Sequence, residues 1–132
     1  MSNHLTSKSQ STRPATTHFS EDENAFREVI RSFALSEVKP LVHKMDDEAQ
    51  MDPGLIKKIF EMGLMGIETP ENFGGSAGSF TMACLAVEEL SRIDGSVGVL
   101  VDVQNTLVTN ALLRWTTQAQ KEKYLPKMAR EW

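Results

Sequence analysis

A chain of 132 residues with 40% hydrophobic and 24% charged side chains has the make-up of one compact domain. It does not have that of collagen, a disordered acidic segment or a disulfide scaffold. A net charge of −4 argues against a nucleic-acid or anionic-membrane surface, which needs a basic patch. A single cysteine, Cys84, allows no intrachain disulfide and fits a reducing compartment, and no apolar run nears the roughly 18 residues of a membrane span.

The composition breaks once, near residue 20. Residues 1–20 hold nine Ser or Thr and no Asp or Glu, too little apolar surface to offset the entropy of ordering. Residues 1–19 therefore read as a disordered tail or, being Ser-rich and acid-poor, as an organelle transit segment. Ser20 and Glu23 then have capping-box spacing, with Glu21 and Asp22 at the positive end of a helix. Phe26, Val29, Ile30, Phe33 and Leu41 follow near one stripe. Pro40 should kink or restart this helix near Val38 and bias Lys39 away from the α region, with a further turn or two to Met45.

Asp52 and Pro53 open a second, short helix whose apolar face is Leu55, Ile56, Ile59 and Phe60, and Gly63 ends it. Residues 66–79 (GIETPENFGGSAGS) read as a loop. Gly74 and Gly75 are architectural in this reading, and Gly75→Val should impair folding if Gly75 has positive φ. Ser79 caps a third helix, apolar over more than half its circumference, with Glu88 and Glu89 on a narrow strip near Arg92. Asp94 and Gly95 end it and Ser96 caps the next. VGVLVDV (97–103) is strand-like by β-branching, but its apolar character runs on to Trp115, a length that favours a buried helix. Thr117 caps a last, polar helix, broken near Pro126. The expected fold is all-α: a helical bundle with two central apolar helices and amphipathic outer ones.

Motifs that carry chemistry are sparse. His4, His18 and His43 lie far apart, with no metal-ligand spacing around them. Cys84 falls on the apolar side of its helix and is expected to be buried and inert. Gly74–Gly78 before a helix invites a phosphate-loop reading, but the Gly-Lys-Ser/Thr ending is missing, and a tight turn is preferred. Glu88 and Glu89 point about 100° apart on a helix and do not converge on one atom. Asp102, a carboxylate within VGVLVDVQNTL, needs a partner, a proton or a water-facing edge.

Four stretches in order, GLMGIETPENFGG (63–75), VEELSRIDGSVGV (87–99), QNTL (104–107) and QKEKYLPKMARE (120–131), resemble the N-terminal helical domain of the acyl-CoA dehydrogenases. The likeness covers residues 20–132, and GLMGIE and QNTL bring it nearest the short/branched-chain members. It implies an all-α domain followed, in the complete family protein, by a middle β-domain and a C-terminal four-helix domain. FAD binds between those two, and a glutamate of the C-terminal part takes the α-proton while a β-hydride passes to the flavin. The resemblance also implies acyl-CoA substrates in fatty-acid or branched-chain amino-acid breakdown, electron-transfer flavoprotein as partner, a homotetramer, and a mitochondrial matrix location (cytoplasmic if bacterial).

None of Glu88, Glu89 and Asp102 matches the catalytic glutamate, so no catalytic residue is assigned here. A chain of these residues alone is expected to be inactive and to bind no FAD. Aligned on QNTL, the family's acyl-pocket wall falls on Val99, Val103 and Leu107, whose i, i+4, i+8 spacing places them on one helix face. Branched valines there limit pocket depth, and a methylene that does not fit discriminates by about 1–3 kcal/mol. Two further expectations stand beside this one: a stand-alone helical protein-interaction module, and a phosphate site at 74–79.

Overall fold

The computed structural model describes residues 18–131, so the readings made on residues 1–17 lie outside the described residues. Every regular element among the described residues is helical. Helix α1 (Glu21–Phe33) starts at the expected capping box, the Ser20 hydroxyl accepting from Glu23 N–H and the Glu23 carboxylate accepting from Ser20 N–H. A π-helical turn over Ala34–Val38 and a 3₁₀ turn over Lys39–Leu41 lead into α2 (Val42–Asp47).

The helix type changes at Val38 and α2 restarts after Pro40, as expected, but Lys39 stays helical at φ −51°, ψ −42°, against the expectation. The wide turn is the reason. Lys39 N–H reaches back to Ala34, five residues away, which loosens the backbone where a proline ring would otherwise strike the preceding turn.

Helix α3 (Pro53–Glu61) has Asp52 as N-cap, with Leu55 N–H donating to its carboxylate at 3.0 Å. Gly63 follows at φ +73°, the left-handed position that closes a helix. The 64–79 connection contains two 3₁₀ turns, Leu64–Gly66 and Glu71–Phe73, rather than a bare loop. Helix α4 (Phe80–Ser91) is capped by Ser79. Helix α5 (Gly95–Asp102), a π-helical segment (Val103–Thr109) and α6 (Asn110–Trp115) form one unbroken helical run, so 97–103 is helix and not strand. Its cap is Asp94, whose Oδ1 accepts from Ser96 N–H at 2.7 Å and Val97 N–H at 3.0 Å, and not Ser96 as expected.

Helix α7 (Gln118–Arg130) begins with the expected Thr117 cap and runs straight through Pro126. The expected break fails because Pro126 leaves only one carbonyl without its N–H, that of solvent-exposed Glu122. Meanwhile Leu125 and Ala129 are held in the interior on both sides of the proline.

Helix α4 packs against α1 on one side and α5 on the other. Ile30, Phe33, Val38, Leu55, Ile59, Leu64, Ile67, Ala86, Leu90, Val97 and Val101 form the core between them. Gly98 lets α5 cross the end of α4 closely: a Cβ there would lie 1.9 Å from the Ser91 hydroxyl oxygen. Glu89 is buried in this layer, not on the expected polar strip. Its carboxylate accepts from Arg27 Nε (2.7 Å), Arg31 Nε (2.9 Å) and Arg31 Nη2 (2.8 Å), which ties α4 to α1. Only Glu88 pairs with Arg92, at 2.9 Å.

Candidate functional site

The run from Gly95 to Trp115 is not buried all round. Val97, Val101, Asn105 and Thr109 face inward, each no more than 1% exposed. Val99, Val103 and Leu107 face outward at 58%, 39% and 64%. Both sets repeat every four residues. In a regular α-helix, steps of four drift by about 40° each and the two faces would spiral round the axis. Here the π-helical segment, with Asn110 N–H reaching Asn105 C=O five residues back, takes up the drift. The result is a rib of three apolar side chains along one edge of the protein.

The rib's surroundings are mixed. Phe80, at the start of α4, borders a shallow groove with Leu107, Asn110, Arg114 and Trp115. The Asn110 amide donates to Glu68 at 3.2 Å. Asp102 is half-buried and needs no ion pair; the Thr106 hydroxyl lies within hydrogen-bond distance of its Oδ1 (3.0 Å) and its C=O (2.8 Å).

Cys84 is exposed, which corrects its expected burial. Near the middle of α4, the interior positions are Ala83, Leu85 and Ala86, and the thiol falls on the other side. Its pKa is still raised, first by partial desolvation and then by the negative charges of Glu68 and Asp102.

QNTL serves packing more than chemistry. The Gln104 amide donates to Met128 C=O at 2.8 Å. Asn105, 1% exposed, accepts from Ile67 N–H (2.9 Å) and donates to Leu64 C=O (2.7 Å) and Val101 C=O (2.9 Å). Thus GLMGIE and QNTL meet in space: one buried amide fastens the rib helix to the turn after α3. The sequence carried a signal for it, since Asn105 and Thr109 continue the four-residue inward repeat of Val97 and Val101.

The 74–79 loop is a structural turn. Gly75, Ser76, Ala77 and Gly78 N–H groups donate to the carbonyls of Pro70, Gly66, Thr69 and Ile67 at 2.6–3.2 Å, so none points at an anion. Gly74, not Gly75, has the positive φ, +89°. Gly75 is required for a different reason: a Cβ there would lie 2.1 Å from Thr69 O. Among the described residues there is no group of three or more His, Cys, Asp or Glu that could hold a metal ion, and no helix is long and apolar enough to cross a membrane. The rib's side chains carry no polar atom, and the Gly74–Gly78 amides are engaged within the chain.

A model of the family described as acyl-CoA dehydrogenase, N-terminal domain, matches residues 20–131. The chain belongs to the acyl-CoA dehydrogenase family. It is 42% identical over 123 residues to a probable short/branched chain specific acyl-CoA dehydrogenase of Dictyostelium discoideum, covering 93% of this chain and 30% of the relative. The mitochondrial short/branched chain specific acyl-CoA dehydrogenase of Bos taurus is 39% identical over 113 residues, covering 86% of this chain and 26% of its own length. Among solved structures, butyryl-CoA dehydrogenase of Megasphaera elsdenii superimposes with a TM-score of 0.78 at 28% identity, covering 85% of this chain and 30% of that one. A chain in the structure of the electron transferring flavoprotein of Acidaminococcus fermentans gives 0.81 at 32% identity, covering 86% of this chain and 30% of its own. The chain thus spans about a third or less of the acyl-CoA dehydrogenases it matches.

Proposed function

We propose that residues 20–132 form the N-terminal helical domain of a flavin-dependent dehydrogenase that introduces an α,β-double bond into short or branched acyl-CoA thioesters. In this reading Val99, Val103 and Leu107 line the acyl end of the substrate pocket, and the domain supplies shape while the base and the flavin site belong to the middle and C-terminal parts. FAD, electron-transfer flavoprotein, a homotetramer and a mitochondrial location come with the family reading. Mitochondrial and bacterial relatives both occur.

The observation that carries the proposal is the rib: three large apolar side chains kept outward on a helix whose opposite face is fully buried. An apolar surface held out in this way fits a wall against an apolar ligand or a companion domain. Two β-branched valines and a leucine close such a pocket earlier than alanine or glycine would. The names of the relatives, short/branched chain and butyryl-CoA dehydrogenases, agree with a small acyl group.

The test is Val103→Ala in an enzyme carrying residues 20–131 as its N-terminal domain, with kcat/KM measured from four- to eight-carbon acyl-CoA. Removing two methyls from the wall is expected to move the preference toward longer chains by about tenfold. An unchanged profile contradicts the wall assignment. It would favour the second reading, an interaction module whose exposed rib binds protein.

A further inference from the structure

We infer that Asn105 is a positioning residue for acyl-chain selection, acting through the π-helical segment that keeps the rib straight; this rests on the wall reading above. The argument is one of register. From Val99 to Val103 the backbone is α-helical, and four residues at 100° each overshoot a turn by about 40°. From Val103 to Leu107 it is π-helical, and at roughly 4.4 residues per turn four residues fall short by about 33°. The two deviations nearly cancel, so Leu107 lies above Val99. A continuous α-helix would carry Leu107 about 80° round the axis, off the rib.

A π-helical segment needs something to hold it, because its hydrogen bonds are poorer than those of an α-helix and such segments are rare. Asn105 lies within the segment and supplies the hold. It accepts from Ile67 N–H and donates to Leu64 C=O, both on the turn after α3, which fixes the height and rotation of the helix against that turn. Its second donor goes to Val101 C=O, one turn back, at the junction with α5. All three partners are buried backbone groups, and no apolar side chain of similar size could satisfy them. Thr109, also in the segment, shows what the geometry costs: its hydroxyl is fully buried and has no hydrogen-bond partner among the described residues. A helix free to choose would not leave that group unpaired. Asn105 touches no substrate in this account. It acts by where it places Val103 and Leu107.

The first arm of the test is structural and uses the 132-residue chain. Asn105→Leu keeps the branching and the number of side-chain heavy atoms and removes all three hydrogen bonds. Its crystal structure is expected to show i→i−4 bonding through 103–109 and Leu107 rotated off the line of Val99 and Val103. A retained π-helical segment overturns the inference and leaves the wall reading untouched.

The second arm measures chain-length preference in the enzyme carrying this domain. The ratio of kcat/KM for eight-carbon over four-carbon acyl-CoA is expected to rise about tenfold in Asn105→Leu, as it does in Val103→Ala. A merely structural role would lower kcat/KM for all lengths alike, and that result overturns the inference. No response in Val103→Ala fails the wall reading itself. Should Asn105→Leu not fold, Asn105→Ala removes the same three hydrogen bonds without adding bulk to the buried site. It is expected to give the same change of ratio, and an unchanged ratio is contrary.

Discussion

Replacing Glu89 with glutamine should remove a pH-dependent part of the stability, and the structure gives its size and sign. The carboxylate is 2% exposed and accepts three hydrogen bonds from Arg27 and Arg31. The Arg31 hydrogen bond, followed by that of Arg27, outweighs the opposing effect of burial and holds its pKa at about 2 against an ordinary 4.5. At 1.36 kcal/mol per pKa unit the interval corresponds to about 3 kcal/mol. The two arginine side chains are 23% and 36% exposed, so water screens part of this, and about 2 kcal/mol is the working figure.

The sign follows from the lowered folded-state pKa. The contribution is complete above about pH 4.5 and is lost as the pH falls toward 2. Urea denaturation followed by circular dichroism, at intervals from pH 7 to pH 2.5, measures it. Glu89→Gln is expected to be about 2 kcal/mol less stable than the parent at pH 7, with the gap shrinking steadily below pH 4.5. A gap that stays constant with pH would refute the ionic account and leave only a packing or hydrogen-bond effect.

Three other expectations follow from the same structure. Gly75→Ala should destabilise by about 3 kcal/mol or more, because its Cβ would overlap the Thr69 carbonyl. Gly95→Ala has open space at its Cβ and should stabilise by about 0.5 kcal/mol; urea midpoints of the pair decide both. Cys84 should be labelled by a maleimide in the folded chain, but more slowly at pH 7 than a free thiol, with the rate climbing as pH rises toward its raised pKa. Protection that ends only on unfolding would contradict its exposure.

The helix starts were legible because caps are local. Ser20, Asp52, Ser79 and Thr117 each announce themselves by a side chain three residues from the N–H it accepts from. The all-α class followed from the length of the 96–115 run, which outweighed the β-branching of its valines. What the sequence hid was tertiary. Asp94 and Ser96 are both good caps by type, and only the backbone at Asp94 (φ −149°, ψ 117°) decides between them. Pro126 reads as a breaker until Leu125 and Ala129 are seen anchored in the interior. Glu89 reads as surface until two arginines some sixty residues away arrive beside it.

The rib was partly legible. The i, i+4, i+8 spacing put Val99, Val103 and Leu107 together, and the family resemblance gave that spacing a meaning. The π-helical segment that makes the spacing straight depends on a long-range contact, Asn105 to the turn after α3, which no local propensity encodes.

Contact between the rib and an acyl group is tested most directly by photolabelling. A four-carbon acyl-CoA bearing a terminal diazirine, irradiated in an enzyme carrying residues 20–131, should attach to Val99, Val103 or Leu107, and excess butyryl-CoA should suppress it. Competed labelling found wholly outside the 95–115 helix would show that another surface closes the pocket.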